Sequence, residues 1–136
     1  MWENQAMPIA PPAPKHHNAA FVALVEDART RTKQIEMDAY RELAARGEPH
    51  VLIDVREDHE WADGRAAGAI HLGKGIIERD IEGKVPDKDA TLVLYCGGGY
   101  RSVLVAEALQ KMGYTNALSL EGGWRAWLGA GLPIES

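Results

Sequence analysis

The stretch Thr91-Leu92-Val93-Leu94-Tyr95-Cys96-Gly97-Gly98-Gly99-Tyr100-Arg101-Ser102 decides how this chain folds. Its first five residues form an unbroken apolar run, the mark of a strand buried on both faces of a sheet. Three glycines end the run. A helical pattern then holds from Ser102 to Met112 and stops at Gly113. Strand, tight glycine loop and helix in this order are half of a parallel α/β unit.

The same alternation extends to either side. Upstream, Val51-Leu52-Ile53-Asp54-Val55 is a second β-branched run, and Met37, Tyr40, Leu43 and Ala44 mark a helical face that ends at Gly47. Between the two runs, a short helix is predicted over Glu57 to Ala62, a turn at Asp63-Gly64, a short strand over Ala69 to His71 and a short helix around Ile76 to Ile81. Downstream, Ala117 to Leu120 reads as a last strand and Gly123 to Leu128 as a last helix. The fold class is therefore α/β, with a central, mostly parallel sheet of about five strands covered by helices on both faces. Residues 1–17 read as a flexible Pro-rich tail, with Pro8, Pro11, Pro12 and Pro14 close together and His16 and His17 solvated. Residues 18–34 read as an N-terminal helical extension. Asn18 is its N-cap, and Phe21, Leu24, Val25 and Ala28 form one apolar stripe that packs on the rest of the chain. Residues 35–136 form the domain proper.

Composition excludes several functions. The 136 residues suit one domain with a real core. One cysteine rules out an internal disulfide, a Cys-rich zinc site and a Cys-x-x-Cys redox pair. A formal charge of −5 without a basic cluster argues against nucleic acid as a partner. The apolar runs are too short to span a bilayer, and Met1 to Pro14 lacks the features of a secretory signal. A cytoplasmic, reducing location is the expectation.

The chemistry concentrates at Cys96. Open parallel sheets place their sites at the carboxyl ends of strands, where this cysteine falls. The glycines let backbone N–H groups turn inward as an anion nest. The helix N-terminus adds partial positive charge, and Arg101 adds a full one. These charges favour a thiolate, and a thiolate in a cradle of donors is a nucleophile. The alternatives are an inert buried cysteine, or a loop that binds phosphate with no covalent step. An inert cysteine has no need of Gly97-Gly98-Gly99 and Arg101 beside it.

At this point the sequence resembles the rhodanese (sulfurtransferase) family. Cys96 to Arg101 is similar to that family's six-residue active-site loop of a cysteine, four residues and an arginine. Asp54-Val55-Arg56-Glu57 resembles its first-strand signature. Glu60-Trp61, Gly64 and Gly68-Ala69-Ile70-His71 resemble its next segment. Gly113-Tyr114, Leu120-Glu121-Gly122-Gly123-Trp124, Trp127 and Gly131-Leu132-Pro133 resemble its closing strand and helix. The likeness runs from about Ile35 to Ile134. It departs at Arg65-Ala66, where the family commonly has His-Ile or His-Val, and in the absence of a basic residue in the loop before Arg101.

The resemblance implies a three-layer rhodanese-like domain and a rhodanese-type thiosulfate sulfurtransferase. Sulfane sulfur from thiosulfate or another donor would pass to cyanide or a thiol through a Cys96 persulfide. No cofactor and no metal are implied beyond that covalent intermediate. The partners implied are a small sulfur donor and acceptor, or a sulfur-accepting protein, with no nucleic acid and no membrane. Cys96 is the expected nucleophile. Gly97, Gly98, Gly99, Tyr100, Arg101 and Ser102 form the anion cradle, with Tyr100 at the pocket mouth. Asp54 and Arg56 are supporting residues, and Arg56 is a candidate to draw anionic donors. His59 and His71 are expected to be hydrogen-bonded structural groups, and Trp61, Trp124 and Trp127 packing residues. Two rival readings are a persulfide carrier or sulfur-sensing binding module, and a Cys-dependent phosphatase or arsenate reductase. The last group uses five residues between Cys and Arg, and this loop has four.

Overall fold

The alternation of apolar runs and amphipathic stretches becomes a five-stranded parallel sheet. The computed structural model describes residues 16–136, so the predicted tail lies almost wholly outside the described residues. Helix α1 (Ala19–Arg29) is followed by β1 (Lys33–Ile35), α2 (Met37–Ala45), β2 (Val51–Asp54) and α3 (Asp58–Asp63). Then come β3 (Arg65–Ala66), β4 (Ile70–His71), α4 (Ile77–Lys84), β5 (Leu92–Tyr95), α5 (Arg101–Lys111), β6 (Ala117–Leu120), α6 (Gly123–Gly129) and β7 (Ile134–Glu135).

The sheet order is β1-β6-β5-β2-β4, with every neighbouring pair parallel. β5 lies at the centre and is buried along its whole length. Side chains on a strand alternate between faces, and the core divides accordingly. Ile53, Leu92 and Leu94 meet Ile77 and Ile81 of α4 and Val105, Ala106 and Leu109 of α5 on one face. Leu52, Val93, Tyr95 and Leu120 meet Tyr40 of α2 and Trp124 and Trp127 of α6 on the other. α1 lies outside α5, with Val25 and Ala28 buried against Val103. Leu24 is 56% exposed, so it falls off the packed side of the stripe predicted to contain it. Asn18 holds the N-cap position, but its side chain caps no amide.

Three short elements differ from the sequence expectation. β1 adds an edge strand, pairing Lys33 with Leu118 and Ile35 with Leu120. The sheet therefore begins at Lys33, and the predicted boundary between 34 and 35 cuts through this strand. β3 and β7 form a separate antiparallel pair just after the turn at Gly64. All three pair mainly through backbone groups, which leave no apolar periodicity to read. No helix among the described residues is long and apolar enough to cross a membrane.

Candidate active site

Cys96 follows β5 directly and is 1% exposed. The chain then turns back over it. The Gly99 N–H donates to Cys96 Sγ at 3.2 Å. Ser102, in the first turn of α5, presents its Oγ 3.6 Å from Sγ. That hydroxyl shares a 2.8 Å hydrogen bond with Ser119 Oγ of β6, and both serines are fully buried. Ser119 can donate to Ser102, freeing the Ser102 proton for a charged sulfur.

The turn between β6 and α6 holds the loop from outside. Trp124 N–H donates to the Cys96 carbonyl at 2.7 Å, and Arg125 N–H to the Gly97 carbonyl at 3.0 Å. With the carbonyls tied outward, peptide planarity turns the following N–H groups the other way. The approach is too close for a side chain. A Cβ on Gly123, at φ +49°, would overlap the Cys96 carbonyl oxygen. Gly99 takes φ +98°, and its Cβ would come within 3.0 Å of the Gly122 nitrogen. Of the three loop glycines, Gly99 alone adopts positive φ. Gly97 instead clears room for Arg101, whose Nη2 would stand 3.0 Å from a Cβ there.

Arg101 does not reach freely into the cradle. Its Nη1 and Nη2 donate to Glu60 Oε1 and Oε2 at 2.8 and 3.1 Å. Glu60 also accepts from Glu57 N–H at 3.0 Å, completing the capping box of α3. Burial alone would raise the Glu60 pKa. The bidentate guanidinium, the cap and the nearby Arg56 charge outweigh it and hold the carboxyl at about 2. In turn, Glu60 and the neighbouring Cys96 raise Arg101 above its ordinary value, against desolvation. The arginine thus brings charge near Cys96 while locking α3 to the loop.

Asp54 and Arg56 are brought together as a buried ion pair. Arg56 is 3% exposed and Asp54 fully buried. Arg56 Nη2 donates to Asp54 Oδ2 at 2.7 Å and to the Gly64 carbonyl at 2.7 Å. Its guanidinium stacks over Trp124 at 4.7 Å. Tyr95 O–H donates to Asp54 Oδ2 at 2.6 Å and accepts from Ala66 N–H at 3.1 Å. Burial first, then the Asp54 carboxylate, pushes the Tyr95 hydroxyl well above its ordinary pKa, so it stays a neutral donor. Arg56 thus commits Nε and Nη2 to Asp54 and the Gly64 carbonyl. The pair fixes β2 to β5 and to the start of β3.

The Tyr100 ring packs on the N-terminal segment, 4.4 Å from the His17 ring and 6.1 Å from that of Phe21. The Arg29 guanidinium lies 5.8 Å from its centroid. His17 is accordingly half-buried, not solvated. His71 Nε2–H donates to the Arg56 carbonyl at 2.9 Å, and its ring stacks on Trp61 at 4.8 Å. Trp124 and Trp127 are core residues. Sequence reasoning missed Ser119, the Glu60–Arg101 pair and the docking of the Gly122-Gly123 turn. A capping-box spacing at Glu57 and Glu60 was the one local signal for any of them.

Comparison with known proteins agrees with this geometry. The Rhodanese-like domain model matches residues 36–130. The Bacillus subtilis protein YtwF, which carries a sulfurtransferase name, is 38% identical over 101 residues, covering 74% of this chain and 95% of that one. The Mycobacterium tuberculosis protein MoeZ, named as an adenylyltransferase and sulfurtransferase, is 40% identical over 93 residues. That match covers 67% of this chain but only 21% of the longer protein. A solved structure from Rhodopseudomonas palustris, described as a protein of unknown function and possible tyrosine phosphatase, superposes with a TM-score of 0.75 at 30% identity. It covers 91% of this chain and all of that one.

Proposed function

The chain belongs to the rhodanese-like domain family, and on that premise we propose that it is a sulfurtransferase that carries sulfane sulfur on Cys96. The observation that carries this reading is the donor set around one sulfur: Gly99 N–H at 3.2 Å, and Ser102 Oγ at 3.6 Å backed by Ser119. Such donors stabilise a charged sulfur before and after it gains a second one.

The reaction runs in two displacements. The Cys96 thiolate attacks the outer sulfur of a donor such as thiosulfate. A new S–S bond forms at Cys96, the donor's S–S bond breaks, and sulfite leaves with the bonding pair. A thiophilic acceptor then attacks the outer sulfur of the persulfide. With cyanide, an S–C bond forms, thiocyanate departs, and the pair returns to Cys96 as thiolate. No general base is needed when the thiol is already ionised. Ser102 follows the charge with its proton, and the loop amides hold the anionic sulfur in each state. With one cysteine in the sequence, the acceptor comes from outside the chain.

The acceptor is a small thiophile or a protein cysteine. The MoeZ match supports the second, because there the similar segment forms part of a longer protein named for sulfur transfer. Intact-protein mass spectrometry tests the reading. Incubation with thiosulfate, or with an organic persulfide, is expected to add one sulfur atom to the parent chain and none to Cys96→Ser. Cyanide is expected to remove it. No gain with any sulfane donor refutes the proposal.

Phosphate-ester hydrolysis is the second reading, favoured by the description of the Rhodopseudomonas palustris structure. It fits less well. The loop has four residues between Cys96 and Arg101, and Glu60 engages both terminal nitrogens of Arg101. Turnover of an aryl phosphate by the parent, lost in Cys96→Ser, would establish it instead.

A further inference from the structure

The family match begins at residue 36, yet α1 reaches the Cys96 loop from two directions. On one side, Phe21 and His17 pack on Tyr100, the loop residue next to Arg101. Tyr100 joins Phe21 and Leu104 around the buried Val25, Ala28 and Val103. On the other side, Arg29 Nη1 donates to Glu121 Oε1 at 2.6 Å. Glu121 opens the turn whose next residues hold the loop: Gly122 lies against Gly99, and Trp124 and Arg125 hold the Cys96 and Gly97 carbonyls. Arg29 is held at its own end by Glu26, at 3.2 Å, and lies near the Tyr100 ring as well. One helix therefore touches both the loop and its brace.

We propose that α1 positions the Cys96 loop, with Phe21 and Arg29 as its positioning residues: Phe21 fixes Tyr100, and Arg29 fixes the Glu121–Gly123 turn. Neither touches the reacting sulfur. Both act through the backbone around it, setting where the Gly99 N–H aims. This inference rests on the sulfurtransferase reading only for its activity arm.

The test uses the full chain and two rates at Cys96. One is sulfur loading from a sulfane donor, read by intact mass. The other is alkylation by neutral iodoacetamide at a pH alkaline enough to ionise the thiol in every variant, so that the rate reads access to Sγ. Arg29→Gln and Phe21→Ala are each expected to slow loading about fivefold to tenfold, short of the ~100-fold that a 1 Å misplacement of a reacting group costs. Alkylation is expected to rise about threefold, because a loosened loop opens more often over a sulfur that is 1% exposed. Phe21→Tyr, which keeps the ring, is expected to restore both rates. Leu24→Ala, on the same helix but 56% exposed, is expected to change neither. Melting curves confirm that each variant is folded at the assay temperature. Phe21→Leu, which keeps apolar volume but loses the ring stack, replaces Phe21→Ala if that variant has melted.

Loading and alkylation both within twofold of the parent in folded Arg29→Gln and Phe21 variants would overturn the proposal. A parent chain that takes up no sulfur would refute the sulfurtransferase reading, and the alkylation rates would still decide the role of α1.

Discussion

Replacing Gly123 by alanine tests the brace around Cys96 at its tightest point. The new Cβ would overlap the Cys96 carbonyl oxygen and lie 3.0 and 3.1 Å from the Cys96 and Gly97 carbonyl carbons. All three are backbone atoms, so no side chain can swing aside, and the turn must retreat. Retreat stretches the Trp124 N–H bond to Cys96 (2.7 Å) and the Arg125 N–H bond to Gly97 (3.0 Å). Each is worth about 1 kcal/mol net. A non-glycine residue held in the left-handed region, where Gly123 sits at φ +49°, costs about 1 kcal/mol more. The expected loss is about 3 kcal/mol in urea unfolding, or a fall in Tm of roughly 10 °C. Once the two carbonyls are released, the Gly97 and Gly98 N–H groups of the same peptides lose their orientation, the loop over Sγ loosens, and sulfur loading is expected to slow ~100-fold. Gly98→Ala is the matched control in the same loop, because a Cβ there meets nothing within 4 Å. Its stability is expected to stay within about 0.5 kcal/mol of the parent. If Gly123→Ala unfolds within about 1 kcal/mol of the parent and loads sulfur at a comparable rate, the turn does not hold the loop and the reasoning fails.

Other expectations follow from the charged groups and hydroxyls near the site. Glu60 has a folded pKa of about 2 against an ordinary 4.5, so its stabilising effect is full above about pH 4.5 and is lost as pH falls towards 2. That difference is worth about 3 kcal/mol unscreened, and partial solvation of the pair reduces it to about 1–2 kcal/mol. The stability gap between parent and Glu60→Gln should therefore shrink between pH 4.5 and 2. A gap that does not change with pH would count against the Arg101 pairing. Asp54→Asn leaves the Arg56 guanidinium buried without a counter-charge and is expected to cost about 3–5 kcal/mol in denaturant unfolding; a loss under about 1 kcal/mol would mean the pair is not structural. Ser119→Ala removes the hydroxyl behind Ser102. It is expected to slow sulfur loading about fivefold, the equivalent of one hydrogen bond of about 1 kcal/mol, and to lower Tm by roughly 3 °C.

The sequence was most legible where one segment carries both the structure and the chemistry. Leu92–Tyr95 is buried on both faces, so its apolar run is unbroken, and the centre of the sheet could be read from that alone. Cys96, the three glycines and Arg101 are neighbours in sequence, so the loop was legible too. What escaped depends on segments that meet only after folding. Tyr100 lies inside the legible loop, yet its direction is set by Phe21 and His17, and nothing near residue 100 records them. The assignment of Arg101 as a full charge beside Cys96 did not include its partner Glu60, 41 residues away. Ser119 belongs to an apolar strand and looks like an isolated polar residue until Ser102 is laid beside it.

The brace is the instructive case, because its donors are backbone amides. Every residue but proline carries one, so side-chain identity at 124 and 125 holds no trace of the bonds to Cys96 and Gly97. The only local sign is an absence: Gly123 carries no Cβ where the Cys96 backbone comes within contact distance, and Gly122 none where the Ala126 side chain stands. A glycine in a loop is usually read as freedom to turn. Here the space that a Cβ at 123 would take is filled by the carbonyl of Cys96. Exclusion of every larger side chain at that position therefore follows from the proximity of the two loops as much as from φ. The same logic separates the loop's own glycines: Gly99 needs its conformation, Gly97 needs the room that Arg101 occupies, and Gly98 needs neither to fold. What Gly98 leaves is an exposed, unfilled position on the loop that follows Cys96.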